Sequence, residues 1–229
     1  MMDLARLKRR TLELIDTAFP TARKHRAELN FWQELFTASG GSLWNGHFEP
    51  LFTTVYDLEP AEFRGKRILD IGCGPCGSLE WATMATERVG LDPLARKYRA
   101  LGIDKHRMRY VAARSERIPF SDGYFDIVSC LNALDHVDNF DGTIAEIKRV
   151  TRRGGLFLVS VEIDHLPTVY EPLAISERDM AKLAPEFKTI SAFKVGTPED
   201  HDLHGAVLCR EPDYETGKPG VYVARMQRL

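Results

Sequence analysis

Residues 68–77, Ile-Leu-Asp-Ile-Gly-Cys-Gly-Pro-Cys-Gly, constrain the fold of this chain more than any other stretch. An apolar pair leads into Asp70, and a glycine-rich turn follows at once. A buried strand needs the apolar run, and the turn needs residues that take φ > 0 or let a ligand approach the backbone. About twenty residues on, Val89-Gly90-Leu91-Asp92 supplies a second apolar strand ending in an acid. A glycine turn followed, one strand later, by a carboxylate is the layout that binds ribose hydroxyls. The spacing Asp70-x-Gly72-x-Gly74-x-Cys76-Gly77 departs from the Gly-x-Gly-x-x-Gly that places a helix N-terminus against a pyrophosphate, which argues against a nicotinamide dinucleotide.

The rest of the chain supplies an ordered context. Ile118-Pro119-Phe120-Ser121-Asp122-Gly123-Tyr124-Phe125-Asp126-Ile127-Val128 leads into an apolar strand. Thr143–Val150 reads as an amphipathic helix, Thr151-Arg152-Arg153-Gly154-Gly155 as a turn, and Leu156–Val161 as a further strand. The 68–77 stretch resembles motif I of the class I S-adenosylmethionine-dependent methyltransferases. The run at 118–128 is similar to the "LPF-x-DG-x-FD-x-V" segment of their type 11 branch, and the run at 151–155 to its "LKPGG" turn. Together these matches cover residues 66–163. The resemblance implies S-adenosyl-L-methionine as cofactor, with S-adenosyl-L-homocysteine as product. It implies that Asp70, Gly72 and Gly74 line the aminoacyl end, with Cys73 beside them, and that Asp92, followed by Pro93, takes the ribose. The family's third glycine is Cys76 here. Its usual adenine-reading Asp-Ala pair falls on Arg114-Ser115, and an arginine cannot accept a hydrogen bond. Ser115 is expected at the adenine by position, and Glu116 reads either as its partner or as a surface acid. Asn132, just after the fourth strand, is a candidate for the methionine side.

Hydrophobic residues make up 44% and charged residues 28% of 229, ordinary for a folded α/β domain with an extension. A net charge of −2 offers no broad attraction to phosphate backbones, so no nucleic-acid partner is expected. No apolar run approaches the ~20 residues of a membrane span. The first residues, Met-Met-Asp-Leu-Ala-Arg-Leu-Lys-Arg-Arg, lack a signal-peptide core, and a cytoplasmic protein is expected. Cys73 and Cys76 form a Cys-x-x-Cys, but no second such pair or close Cys/His pair completes a tetrahedral set, so no metal is expected.

The expected architecture is a Rossmann-like doubly wound sheet of about seven strands, mostly parallel with an antiparallel last strand, behind an N-terminal helical cap. Residues 1–63 form the cap and 64–229 the catalytic domain. Helices are expected at 3–17, 21–38 and Leu43–Asp57, and the basic cluster Lys8-Arg9-Arg10 as a solvated face. The resemblance implies that such helices close over the cofactor cleft, particularly near Trp44 and Tyr56. Strands are expected near 67–71, 88–92, 108–112, 124–130 and 155–162, alternating with helices on both faces of the sheet. The closing antiparallel pair is Lys188–Val195 and Gly220–Gln227. A capped helix spans Ser176–Leu183, and Gly196–Pro219 is a connection too long for a simple hairpin.

Methyl transfer from a sulfonium needs alignment and desolvation, and an oxygen acceptor also needs its proton removed. His136 is one candidate base, with Asp135 to orient it, and His165 in the polar segment 162–172 is the other. Each has an alternative as a merely structural hydrogen-bonding group. The polar, histidine-bearing region favours a small-molecule acceptor, a sugar-like or other polar metabolite methylated on a hydroxyl. A lipophilic quinone or lipid acceptor is the alternative within the type 11 branch, and a non-catalytic cofactor sensor or partner-binding protein the alternative outside it.

Overall fold

The computed structural model describes residues 20–229, so the expected helix at 3–17 and the Lys8-Arg9-Arg10 cluster lie outside the described residues. Seven strands form one sheet: β1 (Arg67–Ile71), β2 (Glu87–Leu91), β3 (Arg109–Val111), β4 (Phe125–Leu131), β5 (Thr151–Ile163), β6 (Phe187–Gly196) and β7 (Gly220–Arg228). Their order is β3-β2-β1-β4-β5-β7-β6. β1 to β5 run parallel, and β7 lies antiparallel between β5 and β6. Strand order reverses beside β1, whose neighbours are β2 and β4, and a crevice opens there at the carboxyl ends of all three.

Each apolar strand is buried on both faces. Along β5, Phe157, Val159 and Val161 enter one core cluster while Leu158 enters the opposite one, the period-2 alternation of a central strand. The same split places Leu69 and Ile71 of β1 on one side and Ile68 on the other.

Three expectations about the connections need correction. The β1–β2 crossover, residues 72–86, contains turns and no helix. Gly72, Gly74 and Gly77 all take positive φ there, a conformation no α-helix contains. Arg88 pins the crossover by donating to the carbonyls of Leu79 (3.2 Å) and Glu80 (3.0 Å). The expected turn at 151–155 is absorbed into β5 as an irregularity: pairing with β4 slips between Phe125 and Ile127, and Gly154 holds φ +73°. The expected helix over 43–57 is broken into a short helix and a 3₁₀ turn at Thr54–Tyr56, which Asp57 ends in a left-handed conformation.

The helices, in chain order, are α1 (Pro20–Ala38), α2 (Phe48–Phe52), α3 (Ala95–Tyr98), α4 (Phe140–Val150), α5 (Glu177–Met180) and α6 (Leu203–Cys209). α4 starts where Asn139 Oδ1 accepts from Gly142 N (3.0 Å), and it buries Ile144, Ile147 and Val150. α5 opens with the Ser176/Asp179 capping box that the sequence spacing suggests. α6 lies inside the long 196–219 connection, capped by Asp202, which explains that segment's length. α1 packs Leu29, Trp32 and Phe36 on a small cluster of Leu94, Tyr98, Leu101 and Ile103. That contact sets α1 across the crevice.

Candidate active site

A cleft of about 800 Å³ occupies the crevice, with its floor at the ends of β1, β2 and β4 and part of its wall from α1. Gly72, Cys73, Gly74, Asp92, Pro93, Ser115, Glu116, Asn132 and His136 all line it, whereas Asp70, Asp135 and His165 do not.

Asp92 ends β2 and is 2% exposed. Its Oδ1 accepts from Leu94 N (2.7 Å) and its Oδ2 from Gly74 N (3.2 Å), so the carboxylate ties the two turns together. Burial pushes it up to about 6 against these two bonds. Both oxygens keep lone pairs for further donors. Asp70, expected to line the cleft, lies beneath the turn instead. Its carboxylate accepts from Ser78 Oγ (2.5 Å) and Ser129 Oγ (2.8 Å), pinning β1, β4 and the crossover. Desolvation raises it to about 6. Side chains alternate along β1, so Asp70 shares the face of Ile68, and its carboxylate is taken up by the two serine hydroxyls.

Four further cleft residues come from α1: Lys24, His25, Glu28 and Trp32. Lys24 is 6% exposed, and its Nζ donates to His136 O (2.6 Å) and Asp138 Oδ1 (2.5 Å). An ideal Cβ on Gly74 would stand 3.0 Å from Trp32, so the helix covers the glycine turn closely. No sequence spacing links Glu28 to Asp92; the amphipathic pattern of the helix was the signal, and it reads equally well as core. Burial and the charge of Asp92 push Glu28 up to about 7.

A pH dependence follows. A carboxyl whose folded pKa is raised stabilises the fold below its unfolded value near 4.5, and that contribution is lost as pH rises through about 7. Glu28→Gln is therefore expected to raise the melting temperature at pH 8 by several degrees, ~1–2 kcal/mol, and to change little at pH 5. Thermal melts of the cofactor-free protein at both pH values check this; an equal change at both would place the effect outside Glu28's ionisation.

Where adenine is expected, Ser115 Oγ is bonded to Thr143 Oγ1 (2.8 Å). Glu116 Oε1 accepts from Asp138 N (3.0 Å) and Asn139 N (2.8 Å). Glu116 is thus tied to the backbone ahead of α4 and is not a free surface acid. Arg114 pairs with Asp138 (2.8 Å), the acid that also holds Lys24. Asn132 takes φ +49° where β4 ends, and its buried Oδ1 has no protein partner.

The other end of the cleft gathers histidines and acids. His136 Nε2 lies 4.0 Å from Asp135 Oδ2 and 4.0 Å from Glu171 Oε1. His165 Nε2 lies 3.7 Å from Asp135 Oδ2 on the far side. Asp135 has a fully buried side chain, and burial holds it well above the usual carboxylate range. Desolvation lowers His136 to about 4, leaving a neutral imidazole. The two expected base candidates therefore differ: His136 faces the cleft, and His165 stands behind Asp135. The cap's aromatics divide as well. Phe31, Trp32 and Phe48 reach the cleft, Tyr56 is buried in the core, and Trp44 is 72% exposed and stacks on His47.

A glycine turn after β1, a buried acid ending β2, and an orphaned amide oxygen after β4 fit a cofactor with ribose hydroxyls and an ammonium group. With this strand order, they match the fold of the class I S-adenosylmethionine-dependent methyltransferases. Comparison with known proteins points the same way: residues 69–159 match the family model of the methyltransferase domain. An uncharacterised methyltransferase of Mycobacterium sp. (strain JLS) is 34% identical over 100 residues, covering 43% of this chain and 40% of the relative. The ubiquinone biosynthesis O-methyltransferase of Dechloromonas aromatica (strain RCB) is 27% identical over 162 residues, covering 62% and 66%. A solved S-adenosylmethionine-dependent methyltransferase from Mesorhizobium loti shares the fold with TM-score 0.56 at 19% identity, over 73% of this chain and 93% of that one. The first relatives are matched over only 29–40% of their own length. Among the described residues, no helix is long and apolar enough to cross a membrane.

Proposed function

We propose that this protein transfers the methyl group of S-adenosylmethionine to a hydroxyl of a small polar metabolite. The polar end of the cleft carries the reading: His136 and Glu171, with Thr168 and Tyr170 beside them, stand past Asn132 from the ribose-binding acid. Gly72, Cys73, Gly74, Asp92, Pro93, Ser115, Glu116 and Asn132 hold the cofactor, with Asp70 positioning the turn from below. The acceptor oxygen enters at His136. Its lone pair forms the new C–O bond, the C–S bond breaks with its electrons to sulfur, and the hydroxyl proton leaves to the polar cluster and water. Asp135 and His165 lie behind His136 and set its polar surroundings, and the segment before β1, with α1, forms the cap that excludes water.

One observation favours a lipophilic acceptor instead. Phe31, half exposed, lies with Trp32 and Phe48 on the cleft wall, and the relative from Dechloromonas is an enzyme of ubiquinone biosynthesis. Methyl-labelled S-adenosylmethionine incubated with a fractionated metabolite extract separates the readings. Label in the aqueous fraction is expected, label extracted into organic solvent favours the quinone or lipid, and tight product binding without any labelled acceptor favours a sensor. His136→Ala is expected to lower kcat by about 100-fold or more while S-adenosylhomocysteine affinity stays within a few-fold. Unchanged kcat removes His136 from the reacting end.

A further inference from the structure

We propose that Asp135, His136 and Glu171 form a binding site for a divalent transition-metal ion whose open position faces the cleft. The proposal rests on the reading that this end of the cleft takes the acceptor.

Geometry and missing partners carry it together. One ligand atom from each of the three residues lies within 4.8 Å of the other two. Both carboxylate oxygens of Asp135, at 0% side-chain exposure, lack any hydrogen-bond partner, and so do the Nε2 atoms of His136 and His165. Buried polar atoms are satisfied almost without exception, and an unpaired buried carboxylate is among the most costly groups a fold can keep. The Asp135 carboxylate and His136 Nε2 meet a Glu171 oxygen within 4.8 Å, and one positive centre there would satisfy both unpaired groups. Lys24, the buried amine of this region, is already committed to His136 O and Asp138.

The separations suit an ion. Ligand atoms bound at ~2.0–2.2 Å in tetrahedral geometry stand ~3.3–3.6 Å apart; the two separations from His136 Nε2 are 4.0 Å and all three lie within 4.8 Å, so the ligands draw together on binding. The outer groups are also in place. Thr168 Oγ1 donates to Glu171 Oε2 (2.9 Å), leaving Oε1 toward His136. His165, its Nδ1 fixed on Leu166 O at 3.0 Å, backs Asp135 as a positioning residue. An imidazole with two carboxylates suits zinc, manganese, iron or cobalt. Asp135 and His165 are sealed behind the wall, while His136 and Glu171 reach it, so the remaining coordination position opens on the cleft. Three protein ligands and one open position are the pattern of ions that meet substrate. A hydroxyl bound there would lose its proton more readily, and His136 would then act on the acceptor through the ion.

The site also explains why the metal is invisible in the motif spacing. Asp135 and His136 are adjacent, but Glu171 arrives from the loop after β5, with no short ligand repeat.

Titration of chelator-treated full-length protein with CoCl2 and ZnCl2 tests this by calorimetry and absorption. One equivalent is expected to bind, with Co2+ d–d bands and no thiolate charge-transfer band. Asp135→Asn and Glu171→Gln are each expected to lower affinity about 100-fold or more while retaining S-adenosylhomocysteine binding. Cys76→Ser is expected to keep metal affinity. No binding, equal binding in both ligand variants, or a thiolate band pointing to Cys73 and Cys76 would overturn the site. Methyl transfer that survives chelation with no bound metal also overturns it and leaves the methyltransferase reading standing. Stoichiometric metal that the ligand variants abolish, with no methylated product from any extract, leaves the site standing and sinks that reading.

Discussion

Asp92→Asn is expected to weaken S-adenosylhomocysteine binding by about 100-fold or more, without unfolding the protein. The wild-type carboxylate does two things at once. It accepts from Gly74 N and Leu94 N, shaping both turns, and under the proposed function it offers its remaining lone pairs to the ribose. An asparagine can still accept from one backbone N–H, but its amide NH2 then faces the other, donor against donor. Charge-assisted bonds to hydroxyls are lost as well, and a hundredfold corresponds to ~2.7 kcal/mol. Burial already pushes Asp92 up to about 6, so removing its charge relieves a desolvation penalty above that pH. The variant's melting temperature without ligand at pH 8 is therefore expected to equal or exceed that of the wild type, while the upward shift caused by S-adenosylhomocysteine shrinks. Calorimetry and paired melts separate the effects. A variant that binds as tightly as wild type would show that the ribose is held elsewhere.

The place of Asp92 on the cleft was legible because its signal is local: an apolar strand, then an acid, at the right distance from a glycine turn. The same is true of β1, β4, β5 and α4, whose periodicities are strong and whose ends carry recognisable turn or capping residues. Legibility fails where a role depends on direction or on distant chain. Asp70 sits in the most telling motif of the sequence, yet its carboxylate is bound by Ser78 and Ser129 and does not line the cleft. Glu28 and Lys24 belong to a helix far upstream, and only the packing of Leu29, Trp32 and Phe36 on the β2–β3 crossover brings them over the cofactor turn. No helix follows the glycine turn: three left-handed glycines occupy 72–77, and the rest of the crossover to residue 86 runs in turns. Glu116 shows a subtler limit. Its place in the sequence left cofactor reader and surface acid equally open, and its two backbone bonds at the start of α4 give it a third, structural task.

Gly72→Ala is the second large effect, and its cause can be divided experimentally. Gly72 holds φ +72°, a left-handed conformation that costs an alanine ~1–2 kcal/mol. An ideal Cβ at this position would also stand 2.3 Å from Ala133 Cβ, far inside contact distance, and overpacking of that kind costs ~1–3 kcal/mol. The sum predicts a melting temperature ~5–15 °C lower for a chain of this size. Ala133 directly follows Asn132 on the cleft wall, so the clash also displaces the segment that faces the methionine end, and cofactor affinity is expected to fall with stability. Pairing the change with Ala133→Gly removes the steric part and leaves the backbone part. The double variant is expected to be more stable than the sum of the two single losses by at least ~1 kcal/mol, measured as a coupling energy in denaturant melts. Full recovery is not expected, because alanine at position 72 keeps its left-handed strain and glycine at 133 adds ~0.5–1 kcal/mol of chain entropy. Strict additivity would mean that the two methyls never meet, and that the turn moves away from β4 at a cost set by φ alone.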